Sequence, residues 1–372
     1  MITRTFSRAL PGSGQILQRR GLEPDRCIFF DIETTGFKPE TSSLYLIGAA
    51  FPESSQKPER WTILQWLAES PGEEKRLLES FSERLTAGSV LVHFNGRRFD
   101  LPYLEEKYRQ HGLPSPLSVP ESLDLYRDFR PLKKLLGLER MNQKSLETFL
   151  GNCREDMYDG GQLIPLYRQF VRTGEQDLLA ALLLHNREDV TGMLQLLSLY
   201  GYTEFLKTFL ADASSEEPPI QTELICLRDG SRRLLLRFFL DPAVPVPLSR
   251  MTESGVFSLN QNTGKWLIPV REDPLRYYFP DWKNYYYLPE ENQALHKSVA
   301  VYVDKKFRQP CTPENCYITR TGPFLPQPEE LFSPGLRENR KDRQSWFPLT
   351  DEFLQDQKQL RQYLAVLLKS FL

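Results

Sequence analysis

Cysteine is scarce in this chain: five residues, at 27, 153, 226, 311 and 316. The one close pair, Cys311 and Cys316, lacks a second pair or a nearby histidine to complete a zinc site. The thiols therefore read as reduced side chains in a reducing compartment. An excess of positive charge is missing too. The 47 Lys and Arg face 49 Asp and Glu, for a formal net charge of −2, which argues against a surface that coats duplex nucleic acid but leaves room for a narrow cleft taking one strand. No run approaches the ~18 apolar residues that span a bilayer, so a cytoplasmic protein is the expectation. The first 22 residues hold four Arg and no acid, faintly like a transit peptide. Leu10-Pro-Gly-Ser-Gly14 interrupts them and no amphipathic stripe follows, so residues 1–25 read as a short arm.

What is present suffices for two domains: 372 residues, 40% of them hydrophobic. From Arg26 to about residue 210, short apolar runs alternate with helical periods. Cys27–Asp31, Leu44–Phe51, Trp61–Trp66, Ser89–Phe94 and Ser122–Leu125 read as strands. Pro71–Leu85, Leu101–His111, Ser145–Leu150, Leu163–Thr173 and a long stretch from Asp177 to about Tyr200 read as helices. Three strands in meander order, then helix, strand, helix, strand, predict an α/β fold with a mixed sheet flanked by helices. Ser, Glu and Pro cluster at 211–219, the clearest linker. Residues 220–372 then alternate in strand fashion and predict a smaller β-rich α+β domain. A hairpin turn is expected at Asn262-Thr263-Gly264, and helices near Ala294–Phe307 and at the C-terminus.

Three segments carry carboxylates that composition does not explain. Asp31 and Glu33 end the first apolar strand, two residues apart and so on one face. Like charges held this close repel, and the usual remedy is a divalent cation between them. Asp100 closes His93-Phe-Asn-Gly-Arg-Arg-Phe-Asp100 where a loop opens a helix. Helix capping would explain it, though not Asn95 or Phe99. His185 and Asp189 stand four apart on one face of an apolar helix. Burial there demands partners, which a structural pair or a functional site would supply equally well.

Together these segments resemble the three exonuclease motifs of the DEDD superfamily: Asp-x-Glu, then Asn followed shortly by Phe/Tyr-Asp, then His or Tyr before a closing Asp. More narrowly, FFDIETTGF (29–37), LYLIG (44–48), HFNGRRFDLPYL (93–104), SLDLY (122–126), REDMYDGGQLIPLY (154–167) and LLLHNREDV (182–190) resemble the YprB-type RNase H-like family, over about half of the chain. The resemblance implies an RNase H-like fold and a 3′→5′ exonuclease acting on single-stranded DNA or RNA. It also implies two Mg²⁺ or Mn²⁺ ions held by Asp31, Glu33, Asp100 and Asp189. On that pattern Asp31 bridges, Glu33 and Asp189 complete the nucleophile-side ion, and Asp100 binds the other. His185 is the candidate general base or water-orienting group. It stands where the tyrosine branch has its tyrosine. Thr34, Thr35, Gly36 and Asn95 are implied contacts for the terminal nucleotide. Asp124 reads as a cap or supporting group, and Arg97-Arg98 as a solvated loop. A catalytically idle binding module and a structure-specific endonuclease are the alternative readings.

In the second half, Arg276–Tyr287 interleaves aromatics with Arg and Lys. Such a stretch either stacks bases or packs as a tyrosine-rich strand pair against the neighbouring helix, and packing is the expectation. Lys297 and Lys305–Arg308 add cations nearby, and Leu360–Leu372 reads as a docking helix.

Overall fold

Six strands gather around the Cys27–Asp31 run in the computed structural model, which describes residues 1–54, 56–86, 88–117, 121–211 and 218–372. They are β1 (Ile2–Ala9), β2 (Cys27–Thr34), β3 (Leu44–Pro52), β4 (Arg60–Leu67), β5 (Val90–His93) and β6 (Glu121–Asp124), ordered β1-β4-β3-β2-β5-β6. The strands from β1 to β2 pair antiparallel, while β5 and β6 continue the sheet in parallel. This is the mixed, RNase H-like sheet that the sequence predicts. Helices of this unit are α1 (Ser13–Arg19), α2 (Glu74–Ser82), α3 (Asp100–Gln110), α4 (Leu125–Phe129), α5 (Lys133–Leu136), α6 (Gln143–Phe149), α7 (Gly160–Thr173) and α8 (Gln176–Leu196).

The central strand β2 is covered on both faces, which is why its run is continuously apolar rather than alternating. Ile28, Phe30 and Ile32 pack with Leu77, Leu78 and Phe81 of α2 and with Tyr103, Leu104 and Tyr108 of α3. On the opposite face, Tyr45, Leu46 and Leu67 meet Leu163, Tyr167 and Phe170 of α7 and Leu179, Leu182 and Leu183 of α8. Each such fully buried side chain contributes ~1.5–3 kcal/mol. Since Ile28, Phe30 and Ile32 face α2 and α3, alternation turns Asp31 and Glu33 toward α8.

Residues 2–9, read from sequence as part of an arm, form the edge strand instead. Ile2 and Phe6 are half-buried against the sheet, while Arg4 and Arg8 remain exposed. Charged residues are common on edges, where they discourage further pairing. The chain divides into two units, Met1–Thr203 and Glu204–Leu372, with α9 (Tyr200–Leu210) between α8 and the segment 212–217. That segment, the core of the expected linker, lies outside the described residues.

The second unit holds a five-stranded antiparallel sheet, β7 (Gln221–Cys226), β8 (Arg232–Phe239), β9 (Leu248–Thr252), β10 (Gly255–Asn260) and β11 (Thr263–Val270), in the order β7-β8-β11-β10-β9. Three small sheets follow, from β12 (Leu275–Tyr278), β13 (Tyr285–Leu288), β14 (Gln293–His296), β15 (Gln309–Pro310), β16 (Tyr317–Arg320), β17 (Phe324–Gln327) and β18 (Ser345–Pro348). Two sequence expectations are corrected here. The hairpin turn is Gln261-Asn262, and Gly264 lies inside β11, where a Cβ would come within 1.9 Å of the Phe238 ring. The expected helix at 294–307 is a strand end, a single turn α10 (Lys297–Ala300) and a 3₁₀ turn at Lys305–Phe307. Its valines at 299, 301 and 303 alternate rather than recur at helical spacing. Helices α11 (Asp351–Gln355) and α12 (Gln357–Leu368) close the chain, and α12 buries Leu360, Tyr363, Leu364 and Leu367. Among the described residues no helix is long and apolar enough to cross a membrane.

Candidate active site

One ladder row of the sheet explains how α8 reaches the strand acids. Asp31 on β2 pairs with Gly48 on β3, and Gly48 with Gln65 on β4. At Gly48 a Cβ would lie 1.9 Å from Asn186 Oδ1, so only the bare backbone lets α8 sit this close. The fully buried Asn186 donates from Nδ2 to Asp31 Oδ2 at 3.0 Å and accepts at Oδ1 from Gln65 Nε2 at 2.9 Å. Gln65 also donates to the Leu183 carbonyl. The helix is thereby fixed over the strand end.

Beside Asn186 on α8, His185 and Asp189 meet Glu33. His185 Nε2 lies 3.1 Å from Asp189 Oδ2 and 3.4 Å from Glu33 Oε1. Its Nδ1 lies 2.8 Å from Asp156 Oδ2. Asp156 is itself held by Lys144 Nζ and by the Tyr158 backbone N–H, while Glu188 accepts from the N–H groups of Glu155 and Asp156. The other oxygen of Asp189 lies 2.7 Å from the Arg154 guanidinium, which also donates twice to Glu147. Asp189 is thus gripped by two cations.

Electrostatics tie the remaining acids to this group. Burial, then the charges of Asp189, Glu33 and Asp100, push Asp31 well above the carboxylate range despite the Asn186 hydrogen bond. Burial raises Glu33 to about 8, with Asp189 and Asp100 adding to the rise and His185 opposing it. Asp100 at the start of α3 is pushed up to about 7, chiefly by burial, against lowering backbone hydrogen bonds. Burial alone would lower His185, but Asp189, Glu33 and Asp156 raise it to about 9. Asp189 is held below its ordinary value, because His185 and Arg154 outweigh its burial. Several carboxyls that cannot ionise together form a site deficient in positive charge, and such a donor set fits a divalent cation. Glu33, His185 and Asp189 offer ligand atoms all within 4.8 Å of one another. Asp31 and Asp100 fall outside that tightest group.

The expected nucleotide contacts are placed less suggestively. Thr34 donates to the Gly36 carbonyl, and Thr35 accepts from the Ser43 N–H, so both hydroxyls pin the turn after β2. Asn95 adopts φ 63°, the left-handed region, with its N–H bonded to Asp124. Asp124 also caps α4 through the Tyr126 N–H. Arg97 and Arg98 are exposed. Beside the turn, Phe37 is 88% exposed, with its ring 6.0 Å from Phe99.

Asp156, Arg154, Asn186 and Gln65 carry no role in the sequence reading. Asn186 gave a signal, as an amide within a leucine-rich helix one residue from His185; Arg154 and Asp156 lie in the 154–167 stretch of the resemblance, and Gln65 gave none.

The comparisons with known proteins bear on the fold of this unit. A family model described as RNase_H superfamily matches residues 28–200. Over 198 residues the chain is 33% identical to the uncharacterized protein YprB of Bacillus subtilis (strain 168). Both matches support a YprB-type, RNase H-like family for residues 28–200. That likeness supports a nuclease. The aligned part covers 51% of this chain and 44% of YprB, so the chain spans less than half of that relative's length. Among solved structures, E. coli exonuclease I in complex with a dT13 oligonucleotide matches at 12% identity and a TM-score of 0.33, over 62% of this chain and 54% of that one. A second exonuclease I structure matches at 12% identity and a TM-score of 0.30, with the same coverage.

Proposed function

We propose that the protein is a divalent-cation-dependent 3′→5′ exonuclease that hydrolyses single-stranded nucleic acid. The observation that carries this is the meeting of Glu33 with His185 and Asp189 of α8, with Asp31 and Asp100 within their electrostatic reach and Asp31, Glu33 and Asp100 all raised above their ordinary protonation range. Asp31, Glu33, Asp100 and Asp189 would hold two Mg²⁺ or Mn²⁺ ions. When bound, such ions supply a water of lowered pKa and relieve charge at the leaving oxygen.

The chain's own residues divide the remaining work. Asn186 fixes the orientation of Asp31 through its Nδ2 donor. Asp156 engages His185 Nδ1, which leaves Nε2 facing Glu33 and Asp189 as the ring atom that can hold or pass on a proton at the cleft. Arg154 brings a permanent positive charge to the edge of the cluster, suited to an anionic phosphodiester. The exposed Phe37 ring offers a platform for a terminal base. Direction and strand preference follow the motif resemblance.

The test is a 5′-labelled single-stranded oligonucleotide, DNA and RNA in parallel, with Mg²⁺, Mn²⁺ or EDTA. A one-nucleotide ladder shrinking from the 3′ end, absent in EDTA and in Asp31→Asn, is the expected result. Internal cuts would make the protein an endonuclease. Binding without cleavage, or full cleavage by Asp31→Asn, would remove the proposal.

A further inference from the structure

The tyrosine-rich stretch at 276–287 spends its rings on packing. Phe279 stacks on Tyr285 at 4.3 Å, and Tyr278 and Tyr287 both meet Tyr317 of β16. This leaves little of the stretch free to receive a base. A cluster of exposed aromatic surface lies after it, beyond β14.

There, four large apolar side chains stand exposed within nine residues. Val299 and Val301 flank the end of the single turn α10, Tyr302 is 90% exposed, and Phe307 follows. A monomer scatters such residues singly, whereas a cluster marks a contact surface. The same segment carries Lys297, Lys305, Lys306 and Arg308 against one acid, Asp304, whose carboxylate accepts from the Lys306 N–H. Among the described residues none of these four cations pairs with a carboxylate. Lys297 and Arg308 lie 5.5 and 4.9 Å from the Tyr286 ring centroid, and Lys306 lies 4.6 Å from that of Phe307. Arg308 also donates to the Ala300 carbonyl, which fixes it on the segment. The surface therefore offers uncompensated positive charge and open ring faces side by side.

We propose that residues 297–308 form a binding surface for single-stranded nucleic acid. The cations complement phosphates, and Tyr302 and Phe307 supply faces on which unpaired bases stack. A duplex would engage only the cations, because its base faces are covered by neighbouring pairs. The surface adds a second foothold for the substrate class proposed above, and in naming that class it rests on that reading.

The test uses the full-length protein in EDTA, so that cleavage plays no part, and fluorescence anisotropy with a 30-nucleotide oligo-dT and an abasic chain of equal charge. Tyr302→Ala/Phe307→Ala should weaken oligo-dT binding roughly 30-fold or more, as expected for stacking on two rings, and leave the abasic chain unchanged. Lys305→Gln/Lys306→Gln should flatten the slope of log K against log salt by about 1.4, near 0.7 for each phosphate no longer neutralised. Lys265→Gln/Lys341→Gln, altering exposed cations elsewhere, should do neither. An unchanged urea midpoint shows that the variants remain folded. Unaltered oligonucleotide affinity and slope in both test variants would overturn the proposal. So would the same variants losing only anionic vesicles or only an acidic protein ligand. Cleavage is scored separately: a protein that binds here but never cuts sinks the exonuclease reading alone, and one that cuts without using this surface sinks the present proposal alone.

Discussion

Replacing Gly48 by alanine tests the packing on which the cleft depends. The new methyl carbon would lie 1.9 Å from Asn186 Oδ1 and 2.7 Å from its Cγ, about 1.5 Å short of ordinary contact. Either α8 backs away from the sheet or the Asn186 side chain swings out. The first route breaks close packing, at ~1–3 kcal/mol for an overpacked core. The second removes the Asn186 hydrogen bonds to Asp31 and Gln65, and each buried partner left unpaired costs ~1–3 kcal/mol. A loss of ~2–5 kcal/mol is therefore expected from urea unfolding with an unchanged m-value. Asn186→Ala alone should cost ~2–6 kcal/mol, at ~1–3 for each of the two partners it abandons. In Gly48→Ala/Asn186→Ala the amide that clashes is gone, so the double variant should be more stable than the sum of the singles by ~1–3 kcal/mol. Additive losses would show that the glycine is not there to admit Asn186, and the account of how Asp31 is oriented would fail.

Two further perturbations probe the charge balance. Glu33 and Asp100, raised to about 8 and about 7, bind protons in the folded state that the unfolded chain has released, so stability falls as pH rises from about 5 toward 8. His185, raised to about 9, adds stability that is complete below about 6.5 and lost as pH climbs through 9. Thermal unfolding in EDTA should therefore shift down steadily between pH 5.5 and 8.5, and saturating Mg²⁺ or Mn²⁺ should raise the midpoint more at the alkaline end; a flat EDTA profile refutes this. Asp156→Asn keeps an acceptor near His185 Nδ1 but removes the charge. The His185 titration followed by NMR should move down from about 9, and cleavage should drop ~10- to 100-fold, as for loss of a supporting carboxylate; an unmoved titration contradicts the assigned role.

Much of the first unit was legible because its signals are local. A buried central strand must be apolar on both faces, so the run up to Asp31 announced itself. The i, i+4 spacing of His185 and Asp189 placed both on one face of α8 without knowledge of the sheet. What escaped depends on contacts across the chain. Arg154 and Asp156 sit in an irregular segment, and their importance arises only where α8 passes over them. The edge strand β1 escaped because only Ile2 and Phe6 are half-buried and Thr, Ser and Arg fill both faces, the texture of a solvated arm. In the second unit, Gly264 drew the turn prediction toward itself, although its missing side chain serves the approach of Phe238.

The helix bearing His185 and Asp189 also carries its own supports. Glu188, neighbour of Asp189, ties down the start of the 154–158 segment. Gln143 on α6 donates to the Asp189 carbonyl, and Gly192 leaves room for the Glu147 carboxylate that secures Arg154. Half of the cleft is thus a prefabricated block, bolted to the strand half through the amide of Asn186. An ion lodged between block and strand would act as a spacer that sets the width of the gap.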